Sequence, residues 1–278
     1  MYKIFNEDLS FSISNPKTLF RNNCQNVYDV LDPSSKNCYN DNIKQLFYSI
    51  LLKTNINPNI INKIYKNTPN IFRPVISDKQ NKDYIKTYYN KDNNTIFINL
   101  REFFNIQKNY KKINIIINNN ELDLFKNLVL HESIHYVCYN HSKEIGQTFN
   151  NFITEIYKNL YTKIIPNNPK LVNLFVENQI YFAIDNKKYK NNFISLLNKY
   201  KRKYKYLSDI LLIVTNYQKI EIFDKIFNET YIKYFGAPVD KRLTLFQIFY
   251  DITETLAVLP NVNSDKAKQA TYLILNSL

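Results

Sequence analysis

All three histidines of this 278-residue chain lie within eleven positions, from His131 to His141. The first five residues of that segment have the pattern H-E-x-x-H, with His131, Glu132 and His135 at its fixed positions. On an α-helix, residues four apart share one face, so the two imidazoles can bind one metal ion such as zinc. Glu132 lies beside them, where a carboxylate can act as a general base. The segment therefore predicts a helix over about 121–140 that carries a metal site.

The residues before this helix predict a small sheet and a few helices. Residues 84–89 and Thr95–Leu100 are β-prone and flank a run of turn-forming residues, which together predict a hairpin. Residues 113–117 are rich in isoleucine and fit either a further strand or the end of a buried helix. Apolar residues at helical spacing predict helices near 40–53 and 58–64. We expect residues 1–39 to form an irregular arm or short elements.

The residues after Gly146 predict an almost wholly helical region. Prolines and a second glycine separate apolar stripes at helical spacing. The predicted helices lie near 147–164, 169–184, 188–203, 205–217, 219–235, 241–259 and 264–277. The expected fold class is therefore α+β and predominantly helical.

The net charge and the cysteines indicate which partners and which cellular compartment to expect. The net charge is +13, and the densest basic run lies at 187–205, where lysines alternate with tyrosines. Such a run can bind nucleic acid, although the simpler interpretation is a solvated helix face with Phe193 and Leu197 turned inward. Three widely spaced cysteines argue against a disulfide framework and favour a reducing compartment such as a cytosol, a host cytoplasm or a virion. No apolar stretch is long enough to predict a membrane span.

A catalytic zinc site needs a third protein ligand, and the sequence offers three candidates. His141 has the spacing of the metzincin pattern, but Cys138 stands where that pattern has glycine, and the single methionine is Met1. Glu155 follows His135 by twenty residues, which is similar to the spacing in thermolysin-like enzymes.

The third candidate is Glu254, in the sequence Glu254-Thr255-Leu256-Ala257. Here the chain resembles the lethal-factor-like short gluzincins, which carry a ligand glutamate in an E-x-[FL]-A pattern far downstream of H-E-x-x-H. The chain departs from that family at Gln247, where the family has a catalytic tyrosine, and Tyr250 is the candidate to replace it. Of the three candidates, Glu254 is the one that we favour.

The resemblance implies a zinc metallopeptidase of the gluzincin type, with the thermolysin-like enzymes as the second choice. His131, His135 and Glu254 would be the zinc ligands, Glu132 the general base, and Tyr250 a second catalytic residue. The substrate would be a protein or peptide that adds to an edge strand, for which we expect Thr95–Leu100.

The resemblance also implies a domain organisation. Residues 1–83 would form a mostly helical N-terminal region, and 84–278 a zincin-like region with a helical insertion at about 147–240. The alternative function is a zincin-like structural or interaction protein without activity. A basic nucleic-acid-binding protein is the less favoured third choice.

Overall fold

The computed structural model divides the chain into two compact units, residues 1–139 with residue 278, and residues 140–277. The structure describes residues 9–13, 41–67, 71–77, 79–80, 84–108, 113–141, 146–216, 224–238 and 252–278. Within these ranges the protein is α+β and predominantly helical, as the sequence predicts.

The described strands all lie in the first unit, where they form two three-stranded sheets. The strands are β1 (Leu9–Ile13), β2 (Phe72–Val75), β3 (Tyr88–Asn90), β4 (Thr95–Asn99), β5 (Asn105–Lys108) and β6 (Ile113–Ile117). One sheet has the order β1-β6-β5 and is antiparallel throughout. The other has the order β2-β4-β3, in which β2 is parallel to β4 and β3 is antiparallel to it. Residues 113–117 are thus a strand, and the expected irregular arm contains β1.

The expected edge strand is wrong. Thr95–Asn99 is the central strand of its sheet, since β2 pairs with one side of it and β3 with the other. All five of its residues are buried, which fits a strand that is covered on both sides. The edges of this sheet are β2 and β3, so an extended ligand could add only to one of those.

The predicted hairpin is confirmed as β3, a turn and β4, but its first strand is Tyr88–Asn90 rather than residues 84–89. The turn is built by asparagines: the Asn90 side chain accepts a hydrogen bond of 2.9 Å from the Asp92 N–H. Asn94 has a φ of 53°, in the left-handed region that asparagine tolerates better than most residues. The Tyr89 hydroxyl donates to the Asn94 side chain over 2.8 Å and closes the turn. These contacts fix the register in which Tyr89 lies opposite Ile96.

A buried asparagine joins the central strand to two loops. The Asn99 side chain accepts hydrogen bonds from the backbone N–H groups of Ser77 and Arg101, each over 3.1 Å. Its amide donates to the backbone carbonyls of Ser77 (2.9 Å) and Ile85 (2.8 Å). Asn99 is fully buried, so these backbone groups depend on it rather than on water.

The first unit also contains α1 (Asp41–Leu51), α2 (Pro58–Asn67) and α3 (Asn119–Asn140). The last of these carries the H-E-x-x-H motif. It begins with a reciprocal cap: the Glu121 N–H donates to the Asn118 side chain (2.8 Å), and the Asn118 N–H donates to the Glu121 carboxylate (3.2 Å). Residues 132–138 are all buried. All of the motif except its half-buried first residue, His131, therefore lies in a buried helix segment.

The second unit is helical in all the parts that the structure describes. Its helices are α4 (Gly146–Ile164), α5 (Pro169–Ile184), α6 (Asn186–Tyr200), α7 (Tyr206–Asn216), α8 (Asp224–Phe235), α9 (Glu254–Ala257) and α10 (Asp265–Leu275). Consecutive helices pack together from α4 to α7, and α8 packs on α4 and α10. Most bounds agree with the prediction to within a few residues.

The exception is the helix expected over 241–259. Residues 239–251 lie outside the described ranges, and the described remainder contains only the single turn α9. A 3₁₀ turn, Leu259–Asn261, follows it. Pro260 is compatible with that turn but not with continuation of an α-helix, because its ring would clash with the preceding turn. Among the described residues, no helix is both long and apolar enough to cross a membrane.

We predict that Asn99→Ala lowers the free energy of unfolding by about 2–4 kcal/mol, because it leaves several buried backbone groups without partners. Chemical denaturation followed by circular dichroism measures the change. The matched control is Asn192→Ala on the exposed side of α6, which should change stability by less than about 0.5 kcal/mol. Equal effects of the two substitutions would contradict the role given to Asn99.

Candidate metal centre

The two motif histidines face each other one turn apart on α3. Their ring centroids are 4.8 Å apart, with the ring planes at 76°. The Nε2 atoms of His131 and His135 are 3.2 Å apart. His135 is buried and His131 is half-buried.

This spacing fits a shared metal ion. Two nitrogens bound to zinc at about 2.0–2.1 Å with tetrahedral geometry are separated by about 3.4 Å, close to the distance observed. Imidazole nitrogens are ligands that zinc prefers, and an i, i+4 pair on a helix presents both from one face. The same distance also fits a hydrogen bond between the two rings.

Glu132 is a buried carboxylate with an identified partner. The residue is only 7% exposed. Its Oε2 accepts a hydrogen bond of 2.8 Å from the backbone N–H of Tyr89. A buried carboxylate is costly unless donors compensate for the lost water. The donor comes from β3, a strand at the edge of its sheet, so the structure fixes one carboxylate oxygen of Glu132 to that strand.

The Tyr89 ring makes a second contact with the same helix. It packs edge-on against Tyr136, with centroids 6.0 Å apart, and stacks on Tyr139 at 5.6 Å. Glu132, Tyr136 and Tyr139 are at positions i, i+4 and i+7, which form one stripe along the helix. The Lys91 ammonium lies over the Tyr139 ring, 4.9 Å from its centre. The backbone and the side chain of Tyr89 thus both hold β3 to the face of α3 that lies beside the histidines.

Glu254, the favoured third ligand, belongs to the second unit, whereas the two histidines belong to the first. Its role as a zinc ligand stays a prediction. Glu254 is half-buried at the start of α9, with Thr255 and Leu256 beside it buried.

Contacts within the second unit hold the α9 turn in place. The Thr255 hydroxyl donates to the carbonyl of Ile252 over 2.6 Å, and the Tyr231 hydroxyl of α8 donates to the Thr255 carbonyl at 3.5 Å. Ala257 is fully buried. The backbone that carries Glu254 is therefore anchored independently of any metal.

Glu155, the second candidate ligand, has other partners. Its carboxylate accepts hydrogen bonds from the Lys233 ammonium and, over 2.8 Å, from the Tyr234 hydroxyl. The Lys233 bond lowers the pKa of Glu155, and burial raises the pKa of Tyr234. These contacts of Glu155 connect α4 to α8.

Two further residues are candidates for the site. His141 directly follows the end of α3. Tyr250 lies outside the described residues, so its proposed catalytic role stays a prediction. Tyr89 was not among the residues expected in the site. Tyr89 contributes a backbone N–H, and every residue except proline has one, so the residue type does not indicate the role. The only signal in the sequence is its position at the end of a predicted strand.

Comparisons with protein-family profiles, with curated proteins and with solved structures find no match to this chain. The chemistry of the site therefore has to be argued from its own residues.

We predict that Glu254→Ala weakens zinc binding by more than about a hundredfold, since even partners of ligands are worth 10–100-fold. A competition titration against a chromophoric chelator measures the affinity. Glu155→Ala is the matched control and should leave the affinity unchanged, because it removes only a partly exposed ion pair. The opposite pattern, with zinc lost in Glu155→Ala alone, would reverse the choice of ligand.

Proposed function

We propose that this protein is a zinc-dependent endopeptidase. The observation that carries the proposal is the pair of Nε2 atoms, 3.2 Å apart on α3, with a buried carboxylate from the intervening turn. Two imidazoles at metal-ligand spacing and one adjacent base are the parts that hydrolysis of an amide needs. His131, His135 and Glu254 would hold the ion.

When bound, zinc supplies Lewis-acid chemistry, which lowers the pKa of a coordinated water to about 7 and polarises a carbonyl oxygen. Glu132 then takes one proton from the attacking water as the water oxygen bonds to the carbonyl carbon. The same carboxyl gives that proton to the amide nitrogen as the C–N bond breaks. The second proton of the water also passes to the released amine, so the products are a carboxylate and an ammonium group.

Tyr89 positions this base. Its N–H donates to Oε2 of Glu132, so rotation of the carboxylate is restrained and the other oxygen is left for proton transfer. A base has to lie within about 3 Å of the proton that it takes, and a small misplacement costs rate steeply. We therefore assign Tyr89 as a positioning residue rather than a catalytic one.

The edge strand β3 supports a peptide as the substrate. It lies at the margin of the β2-β4-β3 sheet, and Tyr89 in its centre contacts the motif helix. The Tyr89 N–H is already bound to Glu132, so an extended peptide would run beside this edge without pairing to that group. A strand-like substrate in this position would lie next to Glu132, which favours a polypeptide over a small amide.

We predict that Glu132→Gln abolishes peptide hydrolysis, with a loss of about a thousandfold or more, and that zinc stays bound. Glutamine has the same shape and can still accept the Tyr89 hydrogen bond, but it cannot take a proton. A quenched fluorescent peptide library measures cleavage, and metal analysis measures zinc.

The matched control is Glu177→Gln, an exposed position on α5, which should cleave as wild type does. Cleavage by Glu132→Gln at the wild-type rate would contradict the general-base assignment. A zinc-loaded wild type that cleaves no member of the library would favour the alternative, a zincin-like structural or interaction protein.

We also predict that Tyr89→Pro lowers kcat at least tenfold below Tyr89→Ala. Both variants lose the ring, but only proline loses the N–H that holds Glu132. Proline is tolerated on edge strands where the N–H does not pair within the sheet. Equal kcat values for the two variants, measured with the same peptide, would show that the N–H does not position the base.

A further inference from the structure

A second feature of the molecule is independent of the metal centre. Residues 186–208 contain eight lysines and arginines and no aspartate or glutamate. Six of these cations have exposed side chains, and we call them the basic surface: Lys187, Lys188, Lys199, Arg202, Lys203 and Lys205. They belong to α6 and to the turn that follows it.

The cations of the basic surface are not neutralised by carboxylates. The described ion pairs of the chain involve other lysines, and none of the six has an acidic partner among the described residues. The flanking Asp185 caps the N-terminus of α6 by accepting from the Lys188 backbone N–H. Asp209 lies in the first turn of α7. The surface therefore carries an uncompensated positive charge.

The exposed side of α6 forms a continuous polar track. Lys188 and Lys199 are eleven residues apart, which is about three helical turns and about 17 Å along the axis. Between them the exposed side chains are neutral donors and acceptors, such as Asn192 and Ser195. A track of this length can face about five phosphates of a stacked nucleic-acid strand.

Exposed tyrosines accompany the cations. Tyr181, at the end of α5, is 44% exposed and stacks on Tyr189 with ring centroids 5.2 Å apart and planes at 25°. Tyr206, directly after the basic turn, is also 44% exposed. Unpaired bases stack on such rings, whereas the bases of a duplex are already stacked on one another.

The packing of α6 argues against an anionic membrane as the partner. An interfacial helix buries an apolar face among the lipids. The apolar residues Phe193 and Leu197 of α6 are fully buried in the helical core and are not available for insertion. A polymeric anion that lies along the helix needs only the polar side.

From these observations we propose that the basic surface binds single-stranded nucleic acid. Phosphates would lie along the cations of α6 and its following turn, and bases would stack on Tyr181 and Tyr206. This binding needs neither zinc nor hydrolysis, so it does not rest on the proposed peptidase activity.

The test is fluorescence anisotropy with a labelled twenty-residue polythymidine as the probe, over a range of salt concentrations. We expect the triple variant Lys199→Gln, Arg202→Gln, Lys203→Gln to bind at least tenfold more weakly than wild type. The slope of log affinity against log salt should fall in magnitude by about 2, since about 0.7 counterions are released per phosphate contact on a single strand. Tyr181→Ala and Tyr206→Ala should each weaken binding by about fivefold or more.

The matched control is the triple variant Lys158→Gln, Lys225→Gln, Lys268→Gln. It also removes three positive charges, but from α4, α8 and α10. It should bind within about twofold of wild type, as should Glu132→Gln. Equal weakening by both triples would overturn the proposal, because net charge alone would explain binding. Absence of binding at low salt, tighter binding to a duplex of the same length, or binding to phosphatidylserine vesicles in place of polythymidine would overturn it too.

Discussion

The hydrogen bond from the Tyr89 N–H to Glu132 is the contact on which the organisation of the first unit around the H-E-x-x-H motif depends. An ionisable side chain that is nearly excluded from water has to find donors within the protein. Here one donor is a backbone group at the edge of a sheet, so the requirement of a side chain for a donor fixes a strand beside the helix. The aromatic contacts of Tyr89 with Tyr136 and Tyr139 reinforce the same placement. The Glu132 carboxylate, which we propose as the general base, is thereby also a structural link between sheet and helix.

Local patterns predicted the elements of the fold well. The expected helix over 169–184 coincides with α5, because Pro169 favours the first turn and the Asn168 side chain caps it. The H-E-x-x-H helix was placed within two residues of its observed start, although the Asn118 and Glu121 cap extends it slightly. The proposed division of the chain at residue 83 stays a prediction.

Long-range pairing was less predictable. Thr95–Asn99 has the apolar composition of any buried strand, and nothing in it indicates that the distant β2 would pair with its second side.

For the candidate site, the two histidines and Glu132 followed from helical periodicity alone. The choice between Glu155 and Glu254 did not, because it depends on Lys233 and Tyr234, which lie almost eighty residues from Glu155 and engage its carboxylate.

The turn between β3 and β4 has a consequence beyond its own geometry. Successive residues of a strand direct their N–H groups to opposite sides, so a slip of one residue between β3 and β4 would point the Tyr89 N–H into the sheet and away from Glu132. The turn asparagines, with Asn94 at a φ of 53°, set that alignment. Inserting or deleting one residue in this solvent-facing turn would therefore remove the hydrogen bond to Glu132 as directly as a substitution in the motif would. Natural variation in its length should be as restricted as variation in the motif itself.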